Sequence, residues 1–406
     1  MNPNMNPNMN PYLARLQPYP FERLRGLLAD LTPANVSPIN LSIGEPKHAT
    51  PPLIQQALLD HLSGLASYPT TLGIEPLRQT IQDWLQRRYG VSPLNLQTQI
   101  LPINGSREAL FSLTQTIINA QSTKKLVLSP NPFYQIYEGA TYLAGGEIQF
   151  LNRTAATQFK INWASVSEQT WQNVALVFVC SPDNPTGQVM SLAEWETLFE
   201  LSDRYDFVIV ADECYSEIYC YENQPPLGAL QAAYQLGRQD YRNLIMVTSL
   251  SKRSNVPGMR SGFVAGDAQW LKPYLLYRTY HGCAMNPAVQ HASIAAWQDE
   301  AHVQHNRALY QQKFAAMVPR LAKLSAYHPD AGFYIWAKVP DAMAMSDTDF
   351  VRCLYQACAI TALPGSFLAR DTSQGNPGAQ YVRLALVDTY DACIEAADRM
   401  VRAGLC

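Results

Sequence analysis

One lysine in this chain stands in company that equips it for covalent chemistry. The segment Ser249-Leu-Ser251-Lys252-Arg-Ser-Asn-Val-Pro-Gly-Met-Arg260 follows directly on the apolar run Leu244–Val247. A lysine at the end of a buried strand loses solvation, and a desolvated amine is neutral enough to form a Schiff base. Ser249 and Ser251 offer hydroxyl donors and Arg260 a two-pronged guanidinium, a set suited to a phosphate. An amine beside a phosphate seat calls for an aldehyde carrying a phosphate, and pyridoxal phosphate fits.

Two further polar clusters answer what that cofactor needs. Val174–Val179 leads into Cys-Ser-Pro-Asp-Asn184-Pro-Thr-Gly187, and Phe207–Val210 leads into Ala-Asp212-Glu-Cys-Tyr215. The pyridine ring accepts electrons only while its nitrogen stays protonated, which a neighbouring carboxylate secures; Asp212 is the candidate. Asn184 and Tyr215 supply donors for the ring oxygen beside the imine. Upstream, Asn104-Gly105-Ser106-Arg107 opens a helical pattern running to Ala120. A Gly-Ser step at a helix start exposes backbone N–H groups to an anion, although the same step also serves as a plain N-cap.

The elements that must hold these groups follow from the apolar pattern. Val174–Val179, Phe207–Val210 and Leu244–Val247 do not alternate in polarity, as expected of strands covered on both faces. Helical patterns such as Leu192–Arg204 separate them, so a doubly wound α/β domain with a mostly parallel sheet is expected over residues 46–285. Ligands in such sheets bind beyond the carboxyl ends of the strands, where all three clusters lie. Residues 286–406 read as a smaller α/β lobe that starts with a long helix, and residues 12–45 as a segment packing beside it. Residues 1–11, an Asn-Pro repeat, cannot build a core and are expected to form a low-complexity tail.

Composition narrows the function classes. A chain of 406 residues, 47% hydrophobic, has ample material for two lobes around a cleft. A net charge of −3 argues against nucleic acid or a membrane surface as partner. No apolar run is long enough to span a bilayer and no charged-then-apolar leader opens the chain. Eight cysteines without a C-x-x-C pair point to reduced thiols in a cytoplasmic protein. His302-x-x-His305 lacks acidic or thiol company, so no metal is expected. A regulator built on such a domain would need an added basic helix-turn-helix module, and the first 45 residues are too few and too weakly basic.

Taken together, the lysine segment and the clusters ahead of it resemble the class I/II aminotransferases, the fold type I pyridoxal-phosphate enzymes. Ser261 is a departure, since the family usually has a small apolar residue there. The resemblance implies catalytic roles for Lys252, Asp212 and Tyr215. It places Gly105, Ser106, Arg107 (through its backbone), Ser249, Ser251 and Arg260 around the phosphate. Tyr134, in Pro132-Phe133-Tyr134, matches the aromatic that stacks on the pyridine, with Phe133 as the alternative register. Tyr68 resembles the tyrosine that reaches the neighbouring subunit's phosphate, implying a homodimer with shared active sites.

Substrate contacts follow from the same resemblance. Arg383, in Tyr381-Val-Arg383-Leu-Ala-Leu, matches the arginine that grips the substrate α-carboxylate with two bonds. Gly44 matches the glycine whose backbone closes over it, and Asn184 is expected among the substrate contacts as well. Lys47, His48, Arg278 and His281 are cationic candidates for a second acidic group. Longer runs, among them Ser42-Ile-Gly-Glu-Pro-Lys47-His48 and Asn131-Pro-Phe-Tyr-Gln-Ile-Tyr137-Glu, look like bacterial succinyldiaminopimelate aminotransferases. That subfamily moves an amino group from glutamate to N-succinyl-2-amino-6-oxopimelate by a ping-pong route, leaving 2-oxoglutarate and serving lysine biosynthesis. Aspartate or acetylornithine aminotransferases and carbon–sulfur β-lyases would keep the same core residues.

Overall fold

The computed structural model describes residues 8–326 and 328–406; most of the Asn-Pro repeat lies outside them. Among the described residues the main element is a seven-stranded sheet. In spatial order its strands are Ile100–Ile103, Gly262–Gly266, Leu244–Ser249, Val208–Asp212, Val174–Cys180, Leu126–Asn131 and Glu147–Asn152. Only Gly262–Gly266 runs against its neighbours; the remaining pairings are parallel. The expected strands are therefore present and adjacent. Their apolar runs carry no alternation because helices cover both faces, and Leu244, Ile245, Met246 and Val247 are all fully buried.

Local signals set the helices. Ser191 and Glu194 close a reciprocal capping box at the start of Leu192–Tyr205, and Asp206 ends that helix in the left-handed region. Trp195, Leu198 and Phe199 turn inward from it, each contributing roughly 1.5–3 kcal/mol by leaving water. The long helix expected after residue 286 is two helices, Pro287–Gln298 and Ala301–Arg320. The break falls where the Asp299 carboxylate accepts from the His302 N–H at 2.9 Å, starting a new helix. The first of the two places Ala292, Ala296 and Trp297 in the core of the large sheet.

A second core surrounds a three-stranded antiparallel sheet in the order Leu363–Pro364, Tyr381–Ala385, Tyr334–Lys338. The N-terminal segment reaches this lobe: Leu24 joins its core, and Ile39–Asn40 pairs in parallel with Ile360–Thr361. Its earlier part touches the other lobe, with Arg15 donating to the Gly146 carbonyl at 3.4 Å. No helix among the described residues is long and apolar enough to cross a membrane.

Candidate active site

Three neighbouring parallel strands end at one edge of the large sheet, and each delivers a polar group there. Val208–Asp212 ends in a carboxylate, Val174–Cys180 runs on to Asn184, and Leu244–Ser249 runs into the short helix Leu250–Arg253 that carries Lys252. Across from them, Tyr334 and Arg383 come from the small sheet and Gly44 from the strap behind Ile39–Asn40. The enclosed cleft has a volume of about 490 Å³.

Lys252 is held where it emerges. Its Nζ donates to the Gly44 carbonyl at 2.5 Å. Burial, aided by the positive charges of Arg383 and Arg107 and opposed by Cys214 and Glu45, pushes the amine down to about 8. The turn behind it is clamped: Arg253 donates to the Ala296 carbonyl at 2.6 Å and pairs with Glu300 at 2.7 Å. Ser261, the departure from the family pattern, shares a 2.6 Å hydrogen bond with Ser293 on Pro287–Gln298. Its hydroxyl is buried but partnered, so the substitution leaves the turn undisturbed.

The two acids of Asp212-Glu213 face opposite sides, as consecutive residues at a strand end do. Glu213 turns inward, accepting from the Tyr89 hydroxyl at 2.7 Å and the Ala229 N–H at 2.6 Å. Asp212 lines the cleft yet is only 4% exposed. Its oxygens meet the Tyr137 hydroxyl at 2.9 Å and the Cys214 N–H at 3.3 Å. Burial raises its pKa. A buried carboxylate with hydrogen bonds but no ion-pair partner favours a protonated nitrogen beside it. Tyr137, stacked on Phe178 at 4.4 Å, was not singled out from sequence; its position three residues after Tyr134 at a helix start was the available signal.

Gly105 begins the helix Ser106–Ile117 at φ +87°. A side chain there would place Cβ 2.0 Å from Arg260 Nη2, so glycine leaves the cradle open for the guanidinium. Ser106, Ser249, Ser251 and Arg260 all line the cleft. Arg107 also lines it and turns its side chain to the Tyr134 hydroxyl at 2.6 Å. Tyr134 faces the cleft, whereas Phe133 is 2% exposed and packs on Phe150.

Arg383 is 3% exposed. Its Nη1 donates to Asn184 Oδ1 at 2.9 Å, its Nη2 to the Ser42 carbonyl at 2.8 Å, and its Cζ lies 4.2 Å from the Tyr334 ring centroid. With Oδ1 engaged, Asn184 keeps its amide N–H groups for another acceptor. The Tyr215 and Tyr334 hydroxyls are 3.1 Å apart. Gly44 admits that tyrosine, since a Cβ would come 1.8 Å from the Tyr334 hydroxyl.

Several expected residues lie elsewhere. Tyr68 is fully exposed and absent from the cleft wall. Lys47 pairs with Asp388, and His48 turns to Asn306 and Lys313. Arg278 is consumed by Glu108, and His281 stacks on Tyr277 at a helix end. None of these four cations lines the cleft. His302 bonds Asp299 at 2.6 Å and Ser254 at 2.8 Å, a capping arrangement rather than a ligand set.

The residues fit a phosphate-bearing aldehyde: an amine, a cluster of hydroxyl and guanidinium donors, and a buried carboxylate share one cleft. The family described as aminotransferase class I and II matches residues 36–387. This chain belongs to that family, and its cofactor is pyridoxal 5′-phosphate. An aminotransferase from Neisseria meningitidis Z2491 superposes with a TM-score of 0.93 at 54% identity, covering 97% of this chain and 99% of that one. Aminotransferase AspB from Helicobacter pylori 26695 gives 0.86 at 35%, covering 96% and 99%. An LL-diaminopimelate aminotransferase of Nitratidesulfovibrio vulgaris strain DP4 is 31% identical over 395 residues, 96% of this chain and 97% of the relative.

Proposed function

We propose that this chain transfers an amino group between glutamate and N-succinyl-2-amino-6-oxopimelate, as a succinyldiaminopimelate aminotransferase. The observation that carries the reaction type is one cleft faced by the Lys252 amine, the buried Asp212 carboxylate and the Arg383 fork. The substrate rests on the sequence runs that resemble that subfamily. A relative named for LL-diaminopimelate, which shares the substrate's carbon skeleton, supports it.

When bound, pyridoxal 5′-phosphate draws electrons from the substrate Cα and so acidifies the proton there. Lys252 Nζ, partly neutral at neutral pH because burial lowers it to about 8, takes that proton. Asp212 keeps positive charge at the ring nitrogen, and Tyr137 holds the carboxylate in place. Asn184 and Tyr215 donate to the ring oxygen, and Tyr134 supplies the stacking face. The backbone at Gly105 and Arg107, with Ser106, Ser249, Ser251 and Arg260, seats the phosphate. Arg383 grips the α-carboxylate of each substrate in turn, with Gly44 behind it, so the two half-reactions share one seat and the kinetics are ping-pong. The proposal includes a homodimer with shared sites: Tyr68 stands exposed and outside its own cleft, as expected of a side chain serving a neighbouring subunit.

A second reading, transamination of free LL-diaminopimelate, is favoured by the activity for which that relative is named. Spectroscopy of the purified holoenzyme separates the two. N-succinyl-LL-diaminopimelate should bleach the visible band of the lysine-bound cofactor and 2-oxoglutarate should restore it, with Lys252→Ala doing neither. A response to LL-diaminopimelate alone assigns the second reading. A response to glutamate but neither compound rejects both substrates while keeping the aminotransferase. Pyruvate released from cystathionine without a keto-acid acceptor marks a β-lyase.

A further inference from the structure

Behind the reactive lysine a chain of polar groups, buried except for the half-buried His48, joins three segments. Lys313, 2% exposed on Ala301–Arg320, contacts His48 Nε2 at 2.7 Å and donates to the Leu386 carbonyl at 3.1 Å. His48 Nδ1 lies 2.7 Å from Asn306 Oδ1, which also accepts from Asn255 Nδ2 at 3.0 Å. Asn306 Nδ2 faces the backbone carbonyls of Lys252 at 3.4 Å and Arg253 at 3.5 Å.

The direction of every bond in this chain is determined. Carbonyl oxygens only accept, so the amide nitrogen of Asn306 must face them and its oxygen must face His48. His48 therefore donates from Nδ1, and its Nε2 accepts from Lys313. A second proton on His48 would set an N–H against the Lys313 ammonium and break the contact. Burial, followed by the charges of Lys313 and His305, holds the imidazole below the ordinary histidine range, against the raising effect of its Asn306 bond. Burial pushes Lys313 itself down to about 8, with Cys393 and Asp388 opposing that fall and Lys47 adding to it. The Tyr310 ring packs on His48 at 4.6 Å.

His48 ends the strap that begins at Gly44, whose carbonyl holds Lys252 Nζ. The strap is thus tied to the lysine segment at both ends. We propose that Lys313, His48 and Asn306 are positioning residues that set the Gly44–His48 strap over Lys252, so that protonating His48 loosens the grip on the substrate carboxylate. This rests on the roles proposed for Lys252 and Gly44.

The test is the rate of isotope exchange between labelled glutamate and unlabelled 2-oxoglutarate, catalysed by the holoenzyme from acid to neutral pH, with the visible spectrum and thermal unfolding recorded for each variant. His48→Leu and Lys313→Met should each raise KM about tenfold at neutral pH, as expected for a lost buried hydrogen bond, with kcat changing far less. His48→Gln can accept from Lys313 and donate to Asn306 without titrating. It should recover most of the wild-type KM and abolish its rise at acid pH. Lys313→Met should lose that acid rise, because no ammonium remains for the protonated imidazole to oppose. A wild-type KM in folded His48→Leu, or an acid rise persisting in His48→Gln, overturns the proposal; if His48→Leu does not fold, His48→Gln decides. Lys252→Ala retaining turnover would instead sink the assignment of the lysine.

Discussion

Gly105→Ala is the substitution whose effect follows most directly from geometry. The added Cβ would lie 2.0 Å from Arg260 Nη2 and 2.6 Å from its Cζ, where ordinary contact begins at 3.4 Å. The guanidinium must retreat by more than an ångström from its present place against the start of Ser106–Ile117. The backbone at φ +87° and ψ 156° adds strain of about 1–3 kcal/mol for an L-residue. A charge-assisted hydrogen bond to phosphate is worth roughly 1.5–3 kcal/mol, so cofactor affinity should fall about ten- to a hundredfold. The assay is titration of cofactor-free protein with pyridoxal 5′-phosphate, followed by the visible band. The partner variant Arg260→Ala isolates the route. In that background Gly105→Ala should weaken binding little further, because both changes remove the same contact. Wild-type affinity in Gly105→Ala, or full additivity of the two changes, would refute the reasoning that the glycine acts through Arg260.

Three other outcomes follow. Lys252 titrating near 8 is about one-tenth neutral at pH 7, against about three parts in ten thousand for an ordinary lysine. Cofactor uptake by stripped protein, measured by stopped-flow absorbance, should therefore rise with pH and level off above about 8. Arg383→Lys loses the planar fork and should raise KM for glutamate and 2-oxoglutarate together by about tenfold or more, read from initial rates. Glu138→Ala leaves the largely buried Arg370 without its two-bonded partner, at 2.9 and 2.6 Å. It should cost about 3 kcal/mol in urea unfolding.

The fold was readable because its strands announce themselves. Buried on both faces, Val174–Val179 and Leu244–Val247 need no polar positions, and each ends abruptly in the residues that serve the cleft. Arg383 was legible for a different reason, a short alternating run that matched a family pattern. The long helix was misjudged because Asp299 and Glu300 suit a helix interior as well as a start, and only the cap on His302 reveals the break. Lys47, His48, Arg278 and His281 show the limit most clearly. Their charge is visible in sequence, but Asp388, Asn306 and Glu108, which engage the first three, lie far along the chain. Tyr137 was missed for the complementary reason: its hydroxyl matters only because folding sets it against Asp212.

Arg383 and Lys252 already have company inside the protein: Asn184 and the Ser42 carbonyl for one, the Gly44 carbonyl for the other. On the roles proposed for Arg383 and Lys252, entry of an amino acid would be a swap of partners, with little net gain in the number of hydrogen bonds. What favours the newcomer is its formal charge and its pair of coplanar oxygens, which neutral carbonyl acceptors do not match. An amino-acid amide of the same size, offering one neutral oxygen, has no such advantage over the residents. On that proposal, discrimination between acids and amides would be built into the resting hydrogen bonds, before any contact with the rest of the substrate.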